Sequence, residues 1–557
     1  MGLKERIGLG DPPAITQQAR DEAPQFEHVT WYRDPGLRVL FFYSTVLCFS
    51  SMGTGYDGMY FNNVQIFESW QKQFDSPDDH LLGLLGAFYQ IGSVCSIPLV
   101  PIICDKWGRR PSIAIGFIIM AAGAAMQASA HNYGTFGGGR VVIGFGNSFA
   151  QIASPMLITE ISHPQHRARF TTVYNCLWNG GAIIVNWFCF GLTFAPEGQW
   201  QWRLPAIFQG LPGLIQLVIL WWIPESPRFL IAQDRHDEAL AILAKYHANG
   251  DTENPTVQFE FREIRDTIRL EQLSKESTSY LDFFRTKGNR YRLIVLIALG
   301  LFSQWSGNGI ISNYSNRLYR SAGVQGETQI SGLNAGNTVM ATITSLSFAF
   351  MAERVNRRFC FLLATGGMLI CLIFWTLTSG LHEQHQAPGA NIGMIFLIWL
   401  FGFFYATAWS GLLIGYAVEL LPYSLRAKGL MILNMAIQVA LLLNTYLNPL
   451  AFAAWRAPDE EDGSESETGY GGTVYYLYLI YTIWVAFELT FIYFMFVETR
   501  GPTLEELVKI IDGPNAKVAD LDIAAVSKDV QLHDDSDVRR VSSSEKVSAE
   551  NNATRQV

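Results

Sequence analysis

Apolar blocks of about 20 residues recur along the chain of 557 residues, and this repetition limits the fold more than any other feature. One helix of about 20 apolar residues crosses the roughly 30 Å hydrocarbon core of a bilayer. Only 16% of the residues are charged, whereas soluble proteins carry about 25%. The sequence therefore predicts an all-α membrane protein in place of a set of soluble domains.

The blocks predict twelve membrane-spanning helices, called spans 1 to 12. We expect spans 1 to 6 near residues 37–58, 81–103, 112–130, 136–158, 171–192 and 203–223. We expect spans 7 to 12 near residues 291–318, 329–351, 359–380, 391–416, 428–453 and 474–497. The resulting organisation is an N-terminal segment 1–36, a six-helix bundle 37–223, a linker 224–290 with short helices, a second six-helix bundle 291–497 and a largely disordered tail 498–557.

Lys and Arg are concentrated in alternate loops, and such loops stay on the cytoplasmic side of a membrane. The loop after span 2 contains Lys106, Arg109 and Arg110, and the loop after span 10 contains Arg426. Residues 1–36 lack the apolar core of a cleavable signal, so span 1 is expected to direct insertion. These features predict a multi-pass membrane protein with both termini and the linker in the cytoplasm.

Several other functions are disfavoured. The net charge of -9 and the acidic tail argue against a nucleic-acid partner. The seven cysteines lie in or beside apolar blocks, with no C-x-x-C motif and no histidine at ligand spacing, so we expect no metal site and no cofactor. The sequence offers no nucleophile with a neighbouring base or metal cluster, which argues against an enzyme.

Three motifs at the ends of the spans occur twice in the same order. DKWGRR after span 2 returns as ERVNRR after span 8, EISHPQHR after span 4 as ELLPYSLR after span 10, and PESPR after span 6 as VETRG after span 12. The copies are separated by roughly half of the chain. Transporters are commonly built from such repeats, so the sequence predicts two pseudo-symmetric bundles.

The charged residues of these motifs are predicted to form rings at the cytoplasmic helix ends. The predicted gate consists of Asp105, Arg109, Arg110, Glu160, Arg167, Glu225 and Arg228 in the first half and of Glu353, Arg357, Glu419, Arg426, Glu498 and Arg500 in the second. Ion pairs in water contribute only about 0 to 1 kcal/mol each, which suits a gate that must open. The alternative is that these charges only orient the loops and cap helices.

Amide side chains follow helical spacing on four spans and predict a polar face on each. Span 5 carries Asn175, Trp178, Asn179 and Asn186, span 7 carries Gln304, Asn308, Ser312, Asn313 and Tyr314, span 8 carries Asn334 and Asn337, and span 11 carries Asn434 and Gln438. Gly307 and Gly309 are expected to weaken the helix of span 7. Amides form paired hydrogen bonds and aromatic rings stack on apolar faces, so these residues are candidate ligands of a polar small molecule. The alternative is hydrogen bonding between helices, worth about 0.6 to 2 kcal/mol per contact.

Motifs spread over roughly residues 25–515 resemble the sugar porter family of the major facilitator superfamily. They are D-x-x-G-R-R after span 2, the Gly-Arg pair at Arg140 in span 4, PESPR after span 6 and VETRGPTLEE after span 12. The strings TGYDGMYFN, SQWSGNGIISNY and WSGLLIGYAVELLPYSLRAKG are similar to fungal lactose and cellodextrin permeases. The resemblance implies a sugar site between the two bundles and transport by alternating access.

The resemblance also implies that Asp57 and Arg140 form a proton-sensitive pair. Asp57 lies in TGYDG at the outer end of span 1, where a charge is unfavourable and the flanking glycines are expected to loosen the helix. A carboxylate near a guanidinium can switch between the neutral and ionised forms as its surroundings rearrange. The alternative is that Asp57 caps a frayed helix end.

Individual sugar-contacting positions follow from the resemblance. Asn175, Gln304, Asn313 and Asn337 fall at or within one residue of such positions, and Gln438 is close to one. The sequence departs from the family at several places, where Ala168 and Asn356 replace glycines, Glu353 replaces an aspartate and Ile414 replaces a stacking tryptophan. Trp409 or Tyr416 is the expected substitute for that tryptophan.

These observations predict a proton-coupled symporter for a sugar, above all a disaccharide such as lactose or cellobiose. The alternatives are a sugar sensor with weak transport, a hexose transporter and facilitated diffusion without protons. In the tail, RRVSSSEK places Ser542 after two arginines, a pattern preferred by basic-directed kinases. The tail is therefore a candidate site for a cytoplasmic kinase or trafficking partner, with a solvated charge run as the alternative.

Overall fold

The computed structural model describes residues 32–277, 280–351, 355–385, 389–421, 423–454, 475–499 and 511. Within this part of the chain all regular secondary structure is helical. A helix or a broken pair of helices occurs at each predicted span, so the predicted all-α fold is confirmed. Residues 1–31 and the tail from residue 512, including Ser542, lie outside the described residues.

The first six spans form the N-terminal half. They comprise Pro35–Leu47 and Phe49–Val64 in span 1, Asp79–Ser96 and Leu99–Trp107 in span 2, Arg109–Ala128 in span 3, Tyr133–Ile161 in span 4, Pro164–Leu192 in span 5, and Trp200–Phe208 and Leu211–Leu220 in span 6. A short helix, Glu68–Gln73, connects spans 1 and 2. Four further helices follow, at Pro227–Ala232, His236–His247, Pro255–Ser277 and Asp282–Arg285.

The last six spans form the C-terminal half. They comprise Lys287–Trp305 and Asn308–Ser321 in span 7, Glu327–Met351 in span 8, Arg357–His385 in span 9, Ala390–Ala408 and Leu413–Leu420 in span 10, Tyr423–Ala454 in span 11 and Tyr475–Met495 in span 12. Two large apolar clusters hold most of the spans together, one in each half.

Spans 5 and 8 differ from the other spans in composition. Among the described residues, nine helices are apolar and long enough to cross a membrane, and span 2 makes ten when its segments, bent by 46°, count as one. Spans 5 and 8 are long helices that do not pass this test. They carry amides at helical spacing, so the prediction of twelve spans is consistent with these helices.

The two halves meet along two pairs of spans. Span 5 packs against span 8, and span 2 packs against span 11. Between spans 5 and 8, the Asn186 amide donates a hydrogen bond to Thr338 Oγ1 at 2.9 Å. The polar faces of spans 5 and 8 therefore lie at the boundary between the halves.

Span 1 lies in backbone contact with span 5 through two glycines. A Cβ atom on Gly55 would lie 1.8 Å from the carbonyl oxygen of Trp178, and one on Gly181 would lie 1.8 Å from that of Met52. Because only glycine allows such close approach, these positions fix the spacing of the two helices. The helix of span 1 continues through Gly55, so the predicted loosening beside Asp57 is wrong.

Span 7 is broken as its glycines predict. Gly307 has φ 99°, a left-handed backbone that separates Lys287–Trp305 from Asn308–Ser321. At Gly309 a Cβ atom would lie 1.8 Å from Asn444 Nδ2 of span 11. The break therefore lies against span 11, with its polar residues beside the boundary between the halves.

Candidate substrate site

A cavity of about 460 Å³ lies between the two halves, and we call it the central cavity. Its size falls within the range typical of small-molecule sites. Nine of the ten predicted substrate residues line it, namely Asn175, Trp178, Asn179, Gln304, Asn308, Asn313, Asn337, Trp409 and Gln438. Asp57 and Arg140 line the same cavity. The structure thus brings together residues from both halves that sequence spacing singles out separately.

Several amide oxygens around the central cavity have unused hydrogen-bonding capacity. Within the described part of the chain, Gln90 Oε1, Asn337 Oδ1 and Gln438 Oε1 have no hydrogen-bond partner. A carboxamide oxygen accepts hydrogen bonds readily, and a sugar hydroxyl can supply the proton. These three oxygens are buried in the wall of the central cavity, so they would accept from a polyhydroxylated ligand only after a side-chain rotation that exposes them. Gln90 was not singled out from the sequence, because one glutamine on span 2 forms no stripe.

The aromatic candidates differ in how they meet the cavity. Trp178 is half-buried and its indole would lie 3.4 Å from a Cβ atom on Gly58. Trp409 is only 2% exposed, and its indole donates a hydrogen bond to Thr365 Oγ1 at 3.2 Å. Trp178 therefore has more free surface than Trp409 for stacking on a sugar ring.

Two tyrosines considered from the sequence lie outside the cavity lining. The Tyr314 hydroxyl donates a hydrogen bond to the Thr445 carbonyl at 2.6 Å, and the ring is buried. Tyr416 donates to the Val497 carbonyl at 3.0 Å and packs on aromatic rings of the C-terminal core. Tyr314 and Tyr416 hold helices together in this structure, contrary to the expectation that they face the sugar.

Asp57 is a buried acid without a hydrogen-bond partner in the described structure. It lies within the helix Phe49–Val64 and is 1% exposed, so the alternative of a cap at a frayed end is wrong. Neither carboxylate oxygen has a partner at hydrogen-bonding geometry. The side chain of Gln209, between the two helices of span 6, and the guanidinium of Arg140 lie nearby.

Arg140 is held beside Asp57 by aromatic rings and a carbonyl. Its Nε donates a hydrogen bond to the Leu85 carbonyl at 2.8 Å, and its guanidinium lies 4.3 Å from the centre of the Phe61 ring. The contact with the ring face stabilises the cation in the absence of water. Arg140 and Asp57 are thus neighbours without a hydrogen bond between them in this conformation.

One end of the molecule carries the repeated charged motifs, and we call it the motif end, with Arg109, Glu160 and Glu225 in the N-terminal half. Arg109 donates from Nε and Nη2 to the two carboxylate oxygens of Glu160, at 2.9 and 3.1 Å. Glu225 accepts the backbone N–H groups of Arg109 and Arg110 at 3.1 and 3.2 Å, which caps the first turn of span 3. Burial raises the pKa of Glu225, although hydrogen bonds from these backbone N–H groups oppose the shift.

The C-terminal half repeats this arrangement at the motif end. Arg357 Nη2 donates to Glu419 Oε1 at 3.2 Å. Glu498 accepts the backbone N–H groups of Arg357 and Arg358 at 2.9 and 3.1 Å. The sequence repeat therefore extends to individual hydrogen bonds. Each of these bonds joins two residues of the same half, whereas the sequence predicted rings of charge.

The other predicted gate residues form weaker contacts at the motif end or lie outside the described part of the chain. Asp105 is 64% exposed and 3.9 Å from Arg109. Arg228 lies in the helix Pro227–Ala232. Glu353 and Arg500 lie outside the described residues, as do the side chains of Arg167 and Arg426.

The loop before span 3 depends on a glycine that its repeat lacks. Gly108 has φ 99°, and a Cβ atom there would lie 2.6 Å from Glu225 Oε2. Asn356 occupies the corresponding place before span 9 and is not among the described residues with positive φ. The second copy of the loop therefore reaches the same hydrogen bonds with a different backbone.

At the opposite end, hydrogen bonds join the two halves directly, and we call this set the interhalf seal. Its contacts are Asn62 Nδ2 to Ser315 Oγ at 2.7 Å, the Asn316 amide to the Asn62 carbonyl, the ion pair of Asp79 with Arg317, and the Glu68 backbone N–H to Glu327 Oε1 at 2.9 Å. The repeated motifs and amide stripes do not predict these contacts between the halves. The signal was the polar run from Ser315 to Arg317, in which Asn316 continues the four-residue spacing of the polar side chains of span 7.

Two pseudo-symmetric helical bundles with an amide-lined cavity between them define a membrane transporter. The chain matches the sequence profile of the family described as "Sugar (and other) transporter" over residues 43–510, and it belongs to that family. It is therefore a multi-pass membrane transporter, and its family is the one that the resemblance to the sugar porters predicts.

Similar proteins include fungal transporters and a bacterial one of known structure. The MFS-type transporter criB of Aspergillus cristatus is 29% identical over 67% of this chain and 80% of its own length. A high-affinity glucose transporter of Kluyveromyces lactis is 26% identical over 87% of each chain. The xylose transporter XylE of E. coli, in a partially occluded inward-open conformation, superposes with a TM-score of 0.67 and 18% identity, over 83% of this chain and 99% of its own. This last likeness supports the fold.

Proposed function

We propose that the protein is a proton-coupled symporter that takes up a sugar across the plasma membrane by alternating access. The observation that carries this proposal is a buried, unbonded Asp57 beside Arg140 in the wall of the same cavity that the amides line. A carboxyl in that position can bind and release a proton as the cavity changes its exposure to water. Proton binding and sugar binding are then linked through one set of helices.

The amides and Trp178 are the proposed sugar ligands. Unpaired oxygens of Asn337 and Gln438 lie in the C-terminal half, and Asn175 and Trp178 lie in the N-terminal half. A ligand that bridges both halves favours their closure around it, because each half then gains hydrogen bonds. A disaccharide is the proposed substrate. A hexose is the second candidate, because a relative is a high-affinity glucose transporter.

In this proposal the motif end and both termini face the cytoplasm, since basic residues are enriched there. The interhalf seal then closes the extracellular side. The charge pairs at the motif end hold each half together while the halves separate at the cytoplasmic side. The proposed segments are those predicted from the sequence: two bundles at 37–223 and 291–497, a cytoplasmic linker at 224–290, and cytoplasmic ends at 1–36 and 498–557.

Uptake into proteoliposomes would test the proposal. The purified protein should acidify the lumen when lactose, cellobiose or glucose is added outside, in proportion to the sugar that enters. The sugar with the lowest half-saturating concentration is then the substrate. Sugar entry without proton entry would contradict symport, and saturable binding without any entry would favour the sensor.

The tail is proposed to contain a phosphorylation site at Ser542. Phosphate would add about -1.5 to -2 charge to an already acidic segment and change its recognition by trafficking partners. Ser542→Ala should then alter surface abundance while leaving apparent sugar affinity unchanged. Equal abundance of the variant and the wild type under sugar-rich and sugar-poor growth would assign no regulatory role to Ser542.

A further inference from the structure

A second buried acid lies in the C-terminal half, on span 12. Glu488 is 0% exposed, and neither of its carboxylate oxygens has a hydrogen-bond partner in the described structure. No Lys, Arg or His of the described residues forms an ion pair with it. An ionised carboxylate without a partner is strongly disfavoured in such a place. In this conformation the side chain is therefore a carboxylic acid that holds a proton.

The surroundings of Glu488 come from three spans. The Trp484 indole lies beside the carboxyl, one helical turn away on span 12, and its Nε1 also has no hydrogen-bond partner. Tyr481 of span 12 and Tyr405 of span 10 lie near the carboxyl. Trp305, at the break of span 7, packs on Trp484 with ring centres 5.7 Å apart. The C-terminal core around these residues also contains the thiol of Cys371 on span 9.

The two tyrosines connect this acid to the broken helix of span 7. The Tyr405 hydroxyl donates a hydrogen bond to the Ser303 carbonyl at 2.9 Å. The Tyr481 hydroxyl donates to Asn448 Oδ1 at 2.8 Å, and the Asn448 amide donates to Asn444 Oδ1. The Asn444 amide in turn donates to the Gln304 carbonyl at 2.7 Å. These carbonyls belong to the last turn before Gly307, where a helix leaves its carbonyls without internal partners. Glu488 thus lies next to the two tyrosines whose hydrogen bonds stabilise the end of the helix before Gly307.

Tyr405 also lines the central cavity, so it connects the surroundings of Glu488 with the cavity wall. We propose that Glu488 is a second proton-exchange site, which releases its proton when the break in span 7 rearranges and cavity water reaches the carboxyl beside Tyr405. The O–H bond of the carboxyl breaks, the proton passes to water and a carboxylate remains. The reverse step reloads the site before span 7 returns to the present arrangement.

The number of protons taken up per sugar in proteoliposomes tests this inference. We expect Glu488→Gln to lower that number by one, because the amide keeps the shape of the side chain but cannot release a proton. Thr490→Val is the matched control on the same helix, because Thr490 is exposed and its hydroxyl donates only to the Ala486 carbonyl of its own helix. The number of protons per sugar in this variant should equal that of the wild type. Equal ratios for the wild type and Glu488→Gln would overturn the inference.

The inference rests on the proposed symport, and the two can fail separately. A wild-type protein that moves sugar without protons would overturn both. An Asp57→Asn variant that loses coupling, together with an unchanged Glu488→Gln variant, would overturn only the role of Glu488. If Glu488→Gln does not reach the membrane, infrared difference spectra between sugar-bound and sugar-free Asp57→Asn still report on Glu488. This variant removes the signal of the Asp57 carboxyl. Sugar should then change the carbonyl stretch of a protonated carboxyl, and no change would contradict the exchange.

Discussion

At the scale of single residues, Asp57 combines complete burial with the absence of a hydrogen bond in the described structure. We predict that Asp57→Asn abolishes accumulation of sugar against its gradient but preserves exchange of sugar across the membrane. The amide keeps the size of the side chain and loses the proton that would drive accumulation. Radiolabelled uptake and counterflow in the same vesicles separate the two activities.

The control for this variant is an acid on the molecular surface. Asp237 is exposed in the first turn of the linker helix His236–His247, and Asp237→Asn should accumulate sugar as the wild type does. If Asp57→Asn still concentrates sugar, the coupling proton binds elsewhere, and Asp57 serves the packing of span 1.

The sugar ligands can be tested one amide at a time. Asn175→Ala and Gln304→Ala should each raise the half-saturating sugar concentration about 2- to 13-fold, since each loses a hydrogen bond worth about 0.5 to 1.5 kcal/mol. Both residues line the central cavity, one in each half. Concentration dependence of uptake, at matched surface expression, measures the effect. Unchanged values in both variants would assign these amides to helix packing.

Helical spacing in the sequence predicts which amides approach the cavity, but not which aromatic rings do. Tyr314 follows Asn313 in span 7 and has φ -134° and ψ 23°, which departs from helical geometry. Regular helical spacing therefore gives the wrong direction for the Tyr314 side chain. Trp409 was predicted from its place near Ile414, and the rings packed on it depend on the tertiary arrangement of spans 9 and 10.

At the scale of helices, the contact between spans 1 and 5 depends on glycines. Gly55→Ala and Gly181→Ala should each destabilise the protein by about 1 to 3 kcal/mol, because the new methyl group would overlap a carbonyl of the facing helix. Gly53→Ala is the matched control, since a Cβ atom on Gly53 meets nothing within 4 Å. Thermal unfolding of the purified variants measures the difference. Equal unfolding midpoints for Gly53→Ala and Gly55→Ala would show that spans 1 and 5 can move apart without a loss of stability.

Glycines in a sequence carry two structural meanings that the sequence alone does not separate. Gly307 breaks span 7 because its backbone is left-handed, and this break is predicted correctly. Gly55 lies in a continuous helix and serves close packing, although the glycines that flank Asp57 predicted a loosened helix. The facing carbonyl of Trp178 decides between the meanings, and it belongs to a helix distant in sequence.

At the scale of the whole molecule, the interhalf seal and the charge pairs at the motif end differ in what they connect. The ion pair of Asp79 and Arg317 crosses between halves, so Asp79→Asn should favour conformations in which that end is open. A pair worth about 1 kcal/mol changes the ratio of two conformations about fivefold. Distances between spin labels on the two halves, at the sealed end, report this ratio.

A charge exchange gives the control for the seal. Asp79→Arg combined with Arg317→Asp keeps an opposite-charge pair across the halves and should return the distances toward those of the wild type. Wild-type distances in Asp79→Asn would mean that the hydrogen bonds of Asn62 close this end without help from the ion pair.

The repeat that the sequence reveals at the level of motifs persists in the folded molecule at the level of atoms. Glu225 and Glu498 accept equivalent pairs of backbone N–H groups, and this could be expected from their matched positions. The contacts of the interhalf seal could not be expected from the sequence, because its residues are not repeated. They come together only when the two halves meet. A sequence repeat thus predicts the contacts that both halves have in common. The contacts that differ between the halves are seen only in the structure.

The amides of spans 5 and 8 have a consequence for biogenesis. Because these two helices are less apolar than the others, each partitions poorly from the insertion machinery into lipid by itself. They pack against one another, so each offers the other a surface on which polar groups are shielded. Span 5 already packs against span 1 within the N-terminal half, but its face toward span 8 lacks this partner until span 8 is synthesised.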